Sequence, residues 1–203
     1  RVDPADGTEG GDFRTMTGDA AAPGRVDDGG AGFAIDGRLN AGFKAVNLLL
    51  DKGLAVRRVD ASDPSLGLRP GDFILDGGSR SALEEAAART GVDFRTLEAP
   101  PAEGVHAVRR MRTAVYQRFR GGNSDEGWTR LLLEQFAFPY ATVMDPEIKR
   151  GGLGSRYDVL ILPHDSTGAI TGERPESYGG PPPAYPPVSI LAMSFLICSI
   201  SEA

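Results

Sequence analysis

Thr113-Ala114-Val115-Tyr116, Tyr140-Ala141-Thr142-Val143-Met144 and Asp158-Val159-Leu160-Ile161-Leu162 are three short apolar runs in one stretch of chain. Two helical segments separate them. The first opens after the loop Gly121-Gly122-Asn123-Ser124, where Asn123 has the spacing to cap a helix with Glu126 at its third position. Trp128, Leu131, Leu132 and Gln135 then give a 3.6-residue stripe. The second opens at Asp145-Pro146-Glu147, with proline at its favoured place, and stops at Gly151-Gly152. The Asp158–Leu162 run is almost continuously apolar, as expected of a strand buried on both faces of a parallel sheet. Alternation of strand and helix predicts an α/β fold with a doubly wound parallel sheet.

Upstream, Phe43, Val46, Leu49 and Leu50 mark a helix that Asn40 is expected to cap and Gly53 to end. Leu54–Val59, Asp72–Leu75 and Val92–Leu97 read as strands. Ser81 and Glu84 have capping-box spacing for a helix closed by Gly91. Pro100-Pro101 marks a break. Residues 1–32 are rich in Gly, Asp and Ala and read as a disordered linker or the end of a preceding domain. Residues 33–101 form an α/β accessory segment, and 102–187 the second α/β unit. The chain then turns abruptly apolar from Val188 to Ile200, a run of unclear status. It is too short to span a bilayer, which takes about 20 residues.

The 203 residues carry a net charge of −6. An acidic chain repels phosphate backbones, so nucleic acid is not an expected partner. Arg109, Arg110, Arg112, Arg118 and Arg120 are locally basic, but flanking acids point to a solvated face or internal ion pairs. The chain begins at Arg1 with no signal-like segment, which reads as a fragment or processed form.

Little in the sequence promises catalysis. The single cysteine, Cys198, lies in the apolar run, where a thiol is expected to be inert. The two histidines, His106 and His164, lack partners at metal-ligand spacing, so no metal is expected in this chain. His164 and Ser166 follow the last strand, on the side of an α/β sheet where ligands usually bind. Gly121, Gly122 and Asn123 join a strand to a helix, a geometry that can hold an anion. They match neither a P-loop nor a dinucleotide fingerprint. A tight turn capped by Asn123 competes with that reading, and Asp125 and Glu126 would repel phosphate. Gly121, Gly122, Asn123, His164 and Ser166 are therefore the candidate ligand-binding residues, with no catalytic residue assigned. A hydrolase or amidotransferase reading through Ser166 or Cys198 is the weakest alternative.

The run Tyr116-Gln117-Arg118-Phe119-Arg120-Gly121-Gly122-Asn123-Ser124-Asp125-Glu126-Gly127-Trp128-Thr129-Arg130 resembles the C-terminal region of large bacterial zinc carboxypeptidase-like proteins. Leu133-Glu134-Gln135-Phe136, Phe138-Pro139-Tyr140, Asp158–Pro163 and Pro181–Tyr185 fit the same region, and Asn40–Asn47 is similar to the segment before it. Ser124 stands where the family often has Met, and after Pro187 the resemblance stops. The resemblance implies a flavodoxin-like, class I glutamine amidotransferase-like domain, incomplete at its C-terminal end. It implies a partner in the parent's own N-terminal peptidase domain, which binds zinc through a His-x-x-Glu pair and a distant His. Neither ligand motif is in this chain. It also implies a secreted or periplasmic setting. The function so implied is that of a non-catalytic accessory segment, with a small-molecule or anion-binding module as the alternative.

Overall fold

The computed structural model describes residues 22–118 and 123–165. Two sheets organise the chain, one antiparallel and one parallel.

The antiparallel sheet holds β1 (Gly32–Ile35), β2 (Val56–Val59), β3 (Phe73–Leu75), β4 (Arg95–Leu97) and β5 (Val105–Val108), in the order β4-β1-β3-β2-β5. Side chains alternate between its faces with period two. Phe33, Ile35, Val56, Phe73 and Leu75 point to one face, where α1 (Asn40–Asp51) and α2 (Arg80–Thr90) cover them with Val46, Leu49, Leu83 and Ala87. Ala34, Val59, Ile74 and Leu97 point the other way, under Leu66 and Leu68 of the loop between β2 and β3. The first half is thus a two-layer α/β unit whose second sheet face is sealed by a loop.

This half departs from the sequence reading in three features of its layout. Its sheet is antiparallel, so the expected parallel sheet is confined to the second half. The Pro100-Pro101 break does not separate the sheets. The chain returns after it to add β5 beside β2, pinned by Arg57 Nη1 donating to the Pro101 carbonyl at 2.7 Å. Residues 22–31, read as part of a disordered linker or the end of a preceding domain, run along β4: Arg25 N–H donates to Asp93 at 2.8 Å and Asp27 N–H to the Phe94 carbonyl at 3.0 Å. Backbone pairing, invisible to composition, orders them; residues 1–21 lie outside the described part.

Two expected caps also fail. Leu39, not Asn40, sits at the α1 N-cap, because Asp36 first closes a turn by accepting the Arg38 N–H at 2.9 Å. Helix α2 starts one residue before Ser81, and its cap position Ser79 bonds the Ser81 hydroxyl at 2.8 Å instead of the backbone. The C-terminal signals hold. Gly91 ends α2 at φ +71°, a left-handed conformation that costs glycine little.

The parallel sheet holds β6 (Thr113–Tyr116), β7 (Tyr140–Val143) and β8 (Val159–Ile161), in the order β7-β6-β8. Helix α3 (Ser124–Gln135) joins β6 to β7. The short α4 (Asp145–Arg150) and α5 (Leu153–Arg156) join β7 to β8. Ala114, Tyr116, Val143 and Leu160 pack with Ile148, Leu153 and Tyr157.

The stripe read on α3 lies on the wrong side for a core. Trp128, Leu131 and Leu132 are 65, 40 and 54 % exposed. The inward positions are Glu126, Arg130, Leu133 and Phe136, the same period in another phase. Glu126 is buried and pairs with Arg130 at 2.8 Å. Arg130 also donates to Thr142 Oγ1 at 2.9 Å and stacks over the Tyr140 ring. A charged pair thus takes the place that hydrophobicity alone assigns to leucine.

Asp158 staples the start of β8 to that of β6. Its carboxylate accepts the Arg112 backbone N–H at 2.9 Å and two guanidinium contacts, at 3.2 and 2.9 Å. The hydrogen bonds from the Arg112 side chain, then its backbone, hold this carboxyl well below the usual carboxylate range. A depressed folded-state pKa contributes stability that is complete above the unfolded value, about pH 4, and lost as pH falls toward the folded one. Asp158→Asn is therefore expected to flatten the acid limb of the stability curve below about pH 4, leaving its shape near neutrality unchanged. Urea titrations at stepped pH read this directly.

Candidate functional site

The C-terminal ends of β6 and β8 bring together two of the five candidate residues. Asn123 caps α3: its Oδ1 accepts the Glu126 N–H at 2.8 Å, as the spacing predicts. Its Nδ2 donates to the His164 carbonyl at 2.7 Å. Two residues on, Asp125 Oδ2 accepts the His164 N–H at 2.6 Å. The backbone of the loop after β8 is thus gripped on both sides by the first turn of α3. Gly121, Gly122 and Ser166 lie outside the described residues.

Further charged groups surround this clasp. Arg118 pairs with Asp165 at 2.6 Å. The Tyr116 hydroxyl donates to Asp145 Oδ1 at 2.6 Å, and Asp145 is buried at the start of α4. Burial, then the Asp145 hydrogen bond, pushes the Tyr116 phenol well above its ordinary pKa, so it stays a donor. Among the described residues here, Asp125, Asp145 and Asp165 outnumber Arg118. The α3 N–H groups therefore open onto a negative field, unsuited to a phosphate.

Asn123 spends its oxygen on the helix and its nitrogen on His164. This arrangement orders a loop. Substitution at 123 separates the two roles. Asn123→Asp keeps the cap and loses the donor to His164, whereas Asn123→Ala loses both. The alanine variant is expected to cost about 1–2 kcal/mol and the aspartate variant roughly half of that, by chemical denaturation. Equal losses would mean that the cap contributes nothing, and no loss in the aspartate variant that the contact with His164 contributes nothing.

The remaining candidates have ordinary partners. His106 sits on the edge strand β5 with Nδ1 2.7 Å from Asp60. Of the arginine cluster, Arg109 and Arg112 face Asp158 and Arg110 pairs with Asp51 at 2.5 Å. Arg120 lies outside the described residues, as does Cys198. Among the described residues no group of three or more His, Cys, Asp or Glu is placed to hold a metal ion, and no helix is long and apolar enough to cross a membrane.

The sequence reading gave Tyr116, Asp145 and Asp165 no part in the site and took Asp125 only as a group that repels phosphate. Asp125 carried a usable signal, since an acid in the first turn of a helix can reach back over the loop that precedes it. For the Tyr116–Asp145 pair there was none, because one partner ends β6 and the other starts α4, and only the fold brings them together.

Comparison with protein-family models, with curated proteins and with solved structures returns no match.

Proposed function

We propose that this chain is a non-catalytic accessory segment of a larger exported protein, of the zinc carboxypeptidase-like kind that residues 116–130 resemble. The observation that carries the reading is the parallel sheet. All-parallel sheets occur almost only where both faces are covered, and sheets most often hold about four to six strands. Among the described residues β8 is an outer strand, with Val159 and Leu162 exposed. Such a sheet calls for more protein beside it. The order β7-β6-β8 matches the 2-1-3 start of the flavodoxin-type order, which supports an incomplete amidotransferase-like domain. The preceding peptidase domain is the proposed neighbour, and zinc belongs to that domain.

The purified chain is expected to bind no stoichiometric zinc and to hydrolyse no peptide. Joined behind its peptidase domain, it should show slower amide exchange in β8. One tight zinc per isolated chain, or unchanged β8 exchange in the joined protein, would overturn the reading.

A second reading has one favourable observation. The loops after β6 and β8 meet at the C-terminal ends of two neighbouring parallel strands, the side on which α/β sheets bind ligands. The excess of carboxylates there favours a neutral or cationic ligand over an anion. A thermal-shift screen of phosphates, nucleotides, carboxylates and amines separates the two, since stabilisation by any of them supports binding.

A further inference from the structure

The exposed side of α3 and the apolar run at 188–200 pose the same physical problem. Trp128, Leu131 and Leu132 lie one turn apart on one face, with Phe138 exposed just beyond the helix. No described residue covers them, and a patch of this kind on a folded protein marks a contact surface. Val188–Ile200 contains no charged residue, so it too calls for cover, and it is too short to cross a bilayer, which needs about 20 residues.

Their connection brings them within reach. The described chain leaves β8 through His164, whose backbone is held by Asn123 and Asp125, so it departs from the N-terminal end of α3 itself. Residues 166–187 could extend roughly 70 Å, whereas the twelve residues of α3 span only roughly 18 Å. A tether of that length keeps the run at high effective concentration over the helix. We propose that Val188–Ile200 packs in cis on the Trp128–Leu131–Leu132 face of α3. This contact is independent of whichever protein lies beside β8.

The native sequence supplies its own probes, because Trp128 is the only tryptophan and Cys198 the only cysteine. An acceptor dye on Cys198 should draw strong energy transfer from Trp128 in the full chain, unchanged on dilution. In the unlabelled chain acrylamide should quench Trp128 several-fold less effectively than in the double variant Leu191→Asp, Phe195→Asp, whose circular dichroism serves as the folding control. Absence of transfer together with quenching as rapid as that of free tryptophan would overturn the proposal. So would transfer that disappears when labelled chains are diluted into unlabelled ones, since the run would then be covering a second copy. The transfer measurement stands even if the double variant fails to fold.

Discussion

Phe94→Ala is expected to remove about 3–5 kcal/mol from the antiparallel half, the range for deleting a buried phenylalanine. Phe94 is fully buried, in the cluster that joins Leu83 and Ala87 of α2 to Phe33 and Leu75 of the sheet. Its backbone also holds the incoming segment: its N–H donates to the Arg25 carbonyl at 2.7 Å and its carbonyl accepts from Asp27. The backbone of Phe94 thus holds residues 22–31 while its ring packs with α2 and the sheet, in the cluster against which Val26 also rests. Domain stabilities run to about 5–15 kcal/mol, so this loss should leave the half close to its unfolding midpoint. Phe94→Leu keeps most of the volume and should cost less than about 1.5 kcal/mol. Urea unfolding of both variants checks the pair of values. A small loss in the alanine variant would mean that the Phe94 ring does not join α2 to the sheet.

The second large effect concerns the charged pair under α3. Glu126→Leu is expected to cost about 3 kcal/mol, at the low end for breaking a buried ion pair because Arg130 keeps a fifth of its side chain in water. The loss comes from the cation left behind, enclosed near Tyr140 and Thr142 without its counter-charge. Replacing both residues, Glu126→Leu with Arg130→Met, should restore most of it, since an apolar pair carries no desolvation penalty. A residue of about 1 kcal/mol should remain for the lost Thr142 hydrogen bond and the ring contact. A double-mutant cycle by urea denaturation measures the coupling. If the double variant is as unstable as Glu126→Leu, the pair holds α3 in place by geometry and not by charge balance.

That same pair shows why part of the fold could not be read in advance. Periodicity found α3 and its length, but it assigned the buried face to Trp128, Leu131 and Leu132. Pattern reading assumes that the apolar side is the inner side, and Arg130 reverses this by finding Glu126, Thr142 and Tyr140 together. Strands β6, β7 and β8 were legible because each is a compact apolar run with loop signals on both sides. Strand β5 was not: Val105–Val108 includes His106 and borders the arginine cluster, and only pairing with β2 makes it a strand. Direction was equally hidden. Nothing local in Val56–Val59 or Phe73–Leu75 separates an antiparallel ladder from a parallel one.

The site was legible to a similar depth. Asn123 and Glu126 announced a cap through their spacing, and the cap is there. That Asn123 also reaches the loop after β8 depends on β6 and β8 being neighbours, which is a property of topology. His164 drew notice for its imidazole, yet its peptide group is what the protein uses.

That use sets what position 164 will accept. Asn123 and Asp125 address a carbonyl oxygen and an amide hydrogen two atoms away from any side chain. They recognise a stretch of main chain much as a neighbouring strand would, and are blind to the residue it carries. The position is then open to substitution by every amino acid with an amide hydrogen and closed to proline alone. Among related sequences it should drift freely, while Asn123 and Asp125 should not.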